Sequence, residues 1–273
     1  MIKSLSTVVD SPNEAQTYVR DLAASARRMK ADLLVTMLTA APMFSPSIAP
    51  FGGLYVPEAE LRADAREDIL LLRTGLTDDP HVKIGGYYGD VGWLVHELRN
   101  SEGVVDLIVI GPASGWEVGW LRRRAIETLL MASGTPLLLL PEGQKLRKIA
   151  RATLAWKPSG EAVRAARDLM LLAEPGAHFD IVTVTRGEMA GADRREGRCA
   201  IADYLAARGF ETECHFIDIG GTTAEQLQRF ALSHKSDVLA IGAYGHSRIV
   251  EILLGGVTRM LIDDARVPLM MSR

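Results

Sequence analysis

The sequence predicts an α/β protein made of two tandem, doubly wound parallel-sheet domains with five strands each. Three observations lead there. Short apolar segments of strand length alternate with stretches of helical periodicity, the pattern of a parallel sheet covered on both faces. The same series of segments runs through the chain twice. A length of 273 residues suffices for two domains of about 140, each able to bury a core. The expected division is 1–143 for the first domain and 152–273 for the second, with a connection around Pro141 to Arg151.

Each half opens on a short apolar strand, a turn and an amphipathic helix, Thr7–Ala15 aligning with Leu154–Ala162. Helical spacing of Ala15, Tyr18, Val19, Leu22, Ala23 and Ala26, and of Ala162, Ala166, Leu169, Met170 and Ala173, gives each helix one stripe to pack on a sheet. Second strands follow at Asp32–Met37 and Asp180–Val184, then helices over about Pro57 to Gly75 and about Arg194 to Arg208, the latter stopped by Gly209. Third strands are expected near Val82 to Ile84 and Thr212 to Ile217, and Thr223 to Gln226 has the spacing of a capping box. The fourth strands, Asp106–Gly111 and Asp237–Gly242, are nearly identical. After one more helix, the halves close with Thr135–Pro141 and Val267–Ser272.

Composition narrows the function classes. Hydrophobic residues at 48% and charged residues at 24% describe a globular chain. No apolar run nears the roughly 18 residues that span a bilayer, so no membrane association is expected. Asp10 arrives too early for a secretory signal, which points to the cytoplasm. A net charge of −3 provides no basic surface for nucleic acid. The basic cluster Lys145, Arg147, Lys148 and Arg151 reads as a solvated connection. Cys199 and Cys214 read as buried thiols rather than a disulfide or metal pair, and no His-x-x-x-His spacing occurs, so no metal site is expected.

The chemistry concentrates after the last fourth strand. Gly242-x-x-Gly245, nine residues, then Gly255, Gly256, Val257 and Thr258 open an apolar helix. Glycines after a buried strand let bare N–H groups approach an anion, and the next helix directs its positive end there. This is the arrangement of a phosphate cradle, and a nucleotide is the expected ligand.

The spacing resembles the signature of the universal stress protein family, although Gly256 stands where the commonest version has a hydroxyl residue. The resemblance covers nearly the whole chain, as a tandem two-domain (UspA-like) member. It implies the strand order 3-2-1-4-5 in each domain and a pseudo-twofold between the domains, formed by antiparallel pairing of the strands at Leu137–Leu140 and Leu269–Met271. An intrachain pseudo-dimer results, with a homodimer of chains as a further expectation.

The resemblance also implies site residues: Gly242, Gly245, Gly255, Gly256, Val257 and Thr258 at the phosphates, Ser247 or Thr258 adding a hydroxyl, and Val184 near the base. The family's acidic position at the end of the first strand holds Lys157 here, beside Trp156 as a candidate stacking surface. The first half is the reverse. It keeps Asp10, but its glycine loop reads Gly111 to Arg124, with Pro112, Trp116 and Trp120 inside it and Arg123 and Arg124 at the positions of Gly255 and Gly256. Its segment 40–57 has the length of a covering loop. No P-loop or nucleophile elbow occurs. The expected function is a cytoplasmic stress-response sensor binding ATP or another adenine nucleotide, with or without Mg2+, in the second domain. The alternatives are a scaffold or small-ligand carrier that binds no nucleotide, and a weak nucleotidase.

Overall fold

The computed structural model describes residues 2–40, 58–76, 79–89, 91–96, 104–185, 200–218, 220–243 and 256–273. Its contacts divide the chain into two compact units, Lys3–Ser133 and Gly134–Arg273, the second including Ile2.

The first unit runs β1 (Ser4–Val9), α1 (Pro12–Met29), β2 (Asp32–Ala40), α2 (Glu58–Thr74), β3 (Val82–Gly89), β4 (Leu107–Ile110) and α3 (Gly119–Ala132). Its strands are parallel in the order β3-β2-β1-β4. All four residues of β4 are buried, as a strand covered on both faces requires. The α1 stripe read from the sequence is the buried face observed, from Ala15 to Ala26. Tyr18 is on it, and its buried hydroxyl donates to the Val109 carbonyl (3.0 Å) and is 2.9 Å from Thr7 Oγ1.

The second unit runs β5 (Leu137–Leu139), β6 (Ile149–Ala155), α4 (Gly160–Leu172), β7 (Ala173–Thr185), α5 (Ala200–Ala206), β8 (Glu211–Asp218), α6 (Thr223–Ser233), β9 (Val238–Gly242), α7 (Gly256–Asp263) and β10 (Leu269–Ser272). The parallel order is β8-β7-β6-β9-β10, the 3-2-1-4-5 arrangement. β5 pairs antiparallel with β10, Leu138 opposite Met270. That pairing draws Leu137–Leu139 into the second unit, so the contact division falls before β5 rather than after it.

Several local readings shift. β6 begins at Ile149, inside the stretch expected to connect the domains, because Asp237 accepts from the N–H groups of Ala150 (2.9 Å) and Arg151 (3.0 Å). Arg147 and Arg151 also pair with carboxylates, Asp237 at 2.6 Å and Asp180 at 2.7 Å; the Arg147 side chain stays largely exposed, as a solvated connection requires, whereas Arg151 is only 35% exposed. The capping box lies one residue earlier than expected: Thr222 is the N-cap and Glu225 the reciprocal partner. β7 starts at Ala173, seven residues before Asp180, so Ala173 leaves the helical stripe and Leu172 ends it. Met170 and Cys214 are half-buried. Gly209 ends α5's last turns with φ +83, the left-handed conformation that favours glycine. Cys199, the segment 41–57 and residues 194–199 of the expected helix lie outside the described residues.

Candidate functional site

In a doubly wound sheet the ligand crevice opens at the carboxyl ends of the strands where the order reverses. In each unit that point is between its first and fourth strands, β1 and β4 or β6 and β9. A glycine stands at the carboxyl end of each fourth strand, Gly111 directly after β4 and Gly242 as the last residue of β9, and close packing explains each. A Cβ on Gly242 would be 2.5 Å from the Ala162 nitrogen and 2.6 Å from the Glu161 carbonyl carbon, so the first turn of α4 rests on bare backbone. A Cβ on Gly111 would be 2.8 Å from the Tyr18 ring. Gly242 therefore has a packing reason to be glycine, independent of any ligand.

The first unit closes this point with its own groups. Asp10 accepts from the N–H groups of Glu117 (3.1 Å) and Val118 (2.9 Å), the residues leading into α3. Burial pushes the Asp10 carboxyl up, and the two N–H groups only partly offset it. Trp116 is buried, and Arg122 donates to the Gly111 carbonyl at 3.1 Å. Arg123 and Arg124 line an open pocket of about 470 Å3 along α3 with Gly119, Trp120 and Glu127.

The second unit presents different groups. Trp156 continues past β6, its N–H donating to Val182 at 2.8 Å, and its side chain is half-buried. Lys157 follows, exposed, at the position of Asp10. Val184 is half-buried near the end of β7. α7 begins at Gly256, where a Cβ would meet nothing within 4 Å. Gly256 and Val257 are exposed, whereas Thr258 is buried. Gly245, Ser247 and Gly255 lie outside the described residues.

The sequence reading missed a second constellation, at the amino ends of β6, β7 and β8. Asp180 is fully buried and takes both Arg151 Nε (2.7 Å) and Nη2 (2.8 Å), with His215 Nε2 at 2.9 Å. His178 and Glu213 complete the group. No spacing rule finds it, because its members are on three strands and meet only through the register that sets Asp180 beside Thr153 and Glu213.

No family model matches the chain. A curated relative, universal stress protein Slr1230 of Synechocystis sp., is 24% identical over 189 residues, which are 67% of this chain and 63% of the relative. The alignment thus spans less than two thirds of that relative's length. A solved universal stress protein from Archaeoglobus fulgidus DSM 4304 superposes with a TM-score of 0.65 at 15% identity, over 98% of this chain and 96% of that one. A putative universal stress protein from Pseudomonas aeruginosa UCBPP-PA14 gives 0.58 at 15% identity, over 99% and 93%. The class is an α/β protein with the universal stress protein fold. The chain is, in that sense, UspA-like.

Proposed function

We propose that the chain is a cytoplasmic stress-response protein whose second unit binds ATP or a related adenine nucleotide and acts as a ligand-dependent regulator. The observation that carries this reading is the contrast at one position. In the first unit the Asp10 carboxylate takes the loop N–H groups before α3. In the second unit the same position is Lys157, and α7 opens with an uncrowded Gly256. The first-turn N–H groups of a helix lack intrahelical acceptors and favour an anion, so a phosphate does at α7 what Asp10 does at α3.

Gly242, Gly256, Val257, Thr258 and Lys157 would face the phosphates, with Gly245, Ser247 and Gly255 added from the motif. Trp156 and Val184 would face the nucleoside. An ammonium cannot accept from a ribose hydroxyl, so Lys157 shifts the balance of recognition toward the phosphates and away from the sugar. Turnover, if present, is slow, and a homodimer of chains is part of the same proposal. Among the described residues no helix is long and apolar enough to cross a membrane.

Thermal shift and titration calorimetry with ATP, ADP, AMP and cyclic AMP, with and without Mg2+, test the proposal. A ligand at about 100 times its Kd stabilises the bound form by about 2.7 kcal/mol, a readily measured rise in Tm. Gly256→Asp supplies the control: it adds a helix-favouring carboxylate to open space while repelling phosphate, so affinity falls at least about tenfold with the fold intact. Absence of binding for every adenylate overturns the nucleotide reading.

A further inference from the structure

We propose a divalent metal site, of the zinc or cobalt class, at the amino-terminal edge of the second unit's sheet, with His178 Nε2, Asp180 Oδ1 and a Glu213 carboxylate oxygen as protein ligands. One ligand atom from each of these residues lies within 4.8 Å of the others.

His178 stands between two carboxylates. Its Nδ1 faces Glu211 Oε2 at 3.5 Å, and its Nε2 faces Asp180 Oδ1 at 3.3 Å. Asp180 Oδ1 already accepts from Arg151 Nη2 (2.8 Å) and from His215 Nε2 (2.9 Å). Among the described residues His178 Nε2 is buried and makes no hydrogen bond. With the proton on Nδ1, toward Glu211, Nε2 keeps a lone pair that no donor meets among the described residues; it lies offset from Asp180 Oδ1 at 3.3 Å, and a cation seated between the two atoms satisfies both. A carboxylate behind a histidine whose other nitrogen ligates is the usual support of a metal-bound imidazole.

Charge and spacing agree. Three carboxylates, Asp180, Glu211 and Glu213, gather here against the single Arg151 guanidinium, an excess of two that a divalent ion complements. In a tetrahedral site with bonds of about 2.0–2.1 Å, neighbouring ligand atoms are about 3.3–3.5 Å apart. His178 and Asp180 already have that separation. Glu213 is 60% exposed and is the arm that closes. An imidazole with two carboxylates suits borderline d-block ions rather than soft thiolate-seeking ones. His215 and, across from it, Phe230 and His234 at the end of α6 wall the remaining side.

The first unit is an internal control. Matching β1 to β6, Leu34 and Lys83 occupy the register positions of Asp180 and Glu213, an apolar residue and a cation that exclude such a site there.

The test uses the full chain, tag-free and stripped with chelator, titrated with Zn2+ and with Co2+ as a spectroscopic probe. One equivalent is expected to bind, with visible Co2+ ligand-field bands and a rise in Tm. His178→Ala and Glu213→Gln, both at part-exposed positions, are each expected to lower affinity by about 10–100-fold, whereas Lys83→Gln leaves it unchanged. Binding without saturation at one equivalent, or binding indifferent to both variants, overturns the site. So does imidazole NMR of the metal-free protein that finds His178 doubly protonated at neutral pH with the Co2+ spectrum blank. Loss of adenylate binding by Gly256→Asp is independent of all these outcomes.

Discussion

The two units use one backbone plan and fill it with different chemistry at opposite ends. At the amino ends, an Asp before each fourth strand ties down the first strand: Asp106 accepts from the N–H groups of Lys3 (2.7 Å) and Ser4 (3.0 Å), and Asp237 from those of Ala150 and Arg151. At the carboxyl ends, a glycine closes each fourth strand, yet what presses on it differs. Tyr18 in α1 interposes its ring over Gly111, whereas Ala165 at the matching position in α4 is small enough for the helix backbone to descend onto Gly242. A repeated residue thus marks a repeated geometry, not a repeated function.

The largest effect is expected where that geometry is least forgiving. Gly242→Ala forces a Cβ against main-chain atoms of Glu161 and Ala162, which move only if α4 moves, and should destabilise by about 3 kcal/mol. Gly111→Ala meets a side chain instead, but one pinned by the hydrogen bonds to Thr7 and Val109, so about 2 kcal/mol is expected. Urea unfolding of the two variants measures both. A larger loss for Gly111→Ala would break the distinction between backbone and side-chain contact.

The strand-tying aspartates come next. Asp237→Ala abandons two backbone donors and the Arg147 guanidinium at 2.6 Å and should cost about 2 kcal/mol; Asp106→Ala abandons the two backbone donors and should cost about 1 kcal/mol. Hydrogen exchange at Ser4 and at Arg151 localises each loss to the start of its own first strand. Equal losses would mean that the Arg147 pair contributes nothing, as for many exposed ion pairs.

The difference between what the sequence reveals and what it hides follows from range. Strand and helix order are legible because burial on both faces writes local periodicity, and Ala15 to Ala26 becomes the buried face of α1 without adjustment. The capping box is misplaced by one residue because Thr222 and Thr223 are both competent caps, and only the backbone shows which is extended. β7 starts early because Glu174, Pro175 and Gly176 do not look like a strand, though their neighbour Ala173 pairs with Ile149 across a register shift. Gly242 is legible as a glycine required by geometry, but sequence cannot separate an approaching phosphate from an approaching helix. The Asp180 group is illegible altogether: Arg151, His178 and Glu213 are individually ordinary and acquire chemistry only through register.

The smallest effect sharpens the contrast at Asp10. Its side chain bridges two N–H groups, and Asn is nearly as good an acceptor at such positions, so Asp10→Asn should cost less than about 1 kcal/mol at neutral pH. The pH dependence is more telling. Burial raises the folded-state pKa of Asp10, while the unfolded chain keeps a value of about 3.9. Between those two values the folded state binds the proton more readily, so wild type gains stability as pH falls through the folded pKa toward about 4. Asp10→Asn cannot gain it, and the gap between the two proteins should widen in favour of wild type over that window. Lys157→Asn, at the matching position of the second unit, has no carboxyl to titrate there and should show a flat difference over the same range. Parallel urea titrations at pH 7, 5.5 and 4.5 distinguish the two behaviours, and a gap for Asp10→Asn that narrows on acidification would mean that the N–H groups of Glu117 and Val118, not burial, govern this carboxyl.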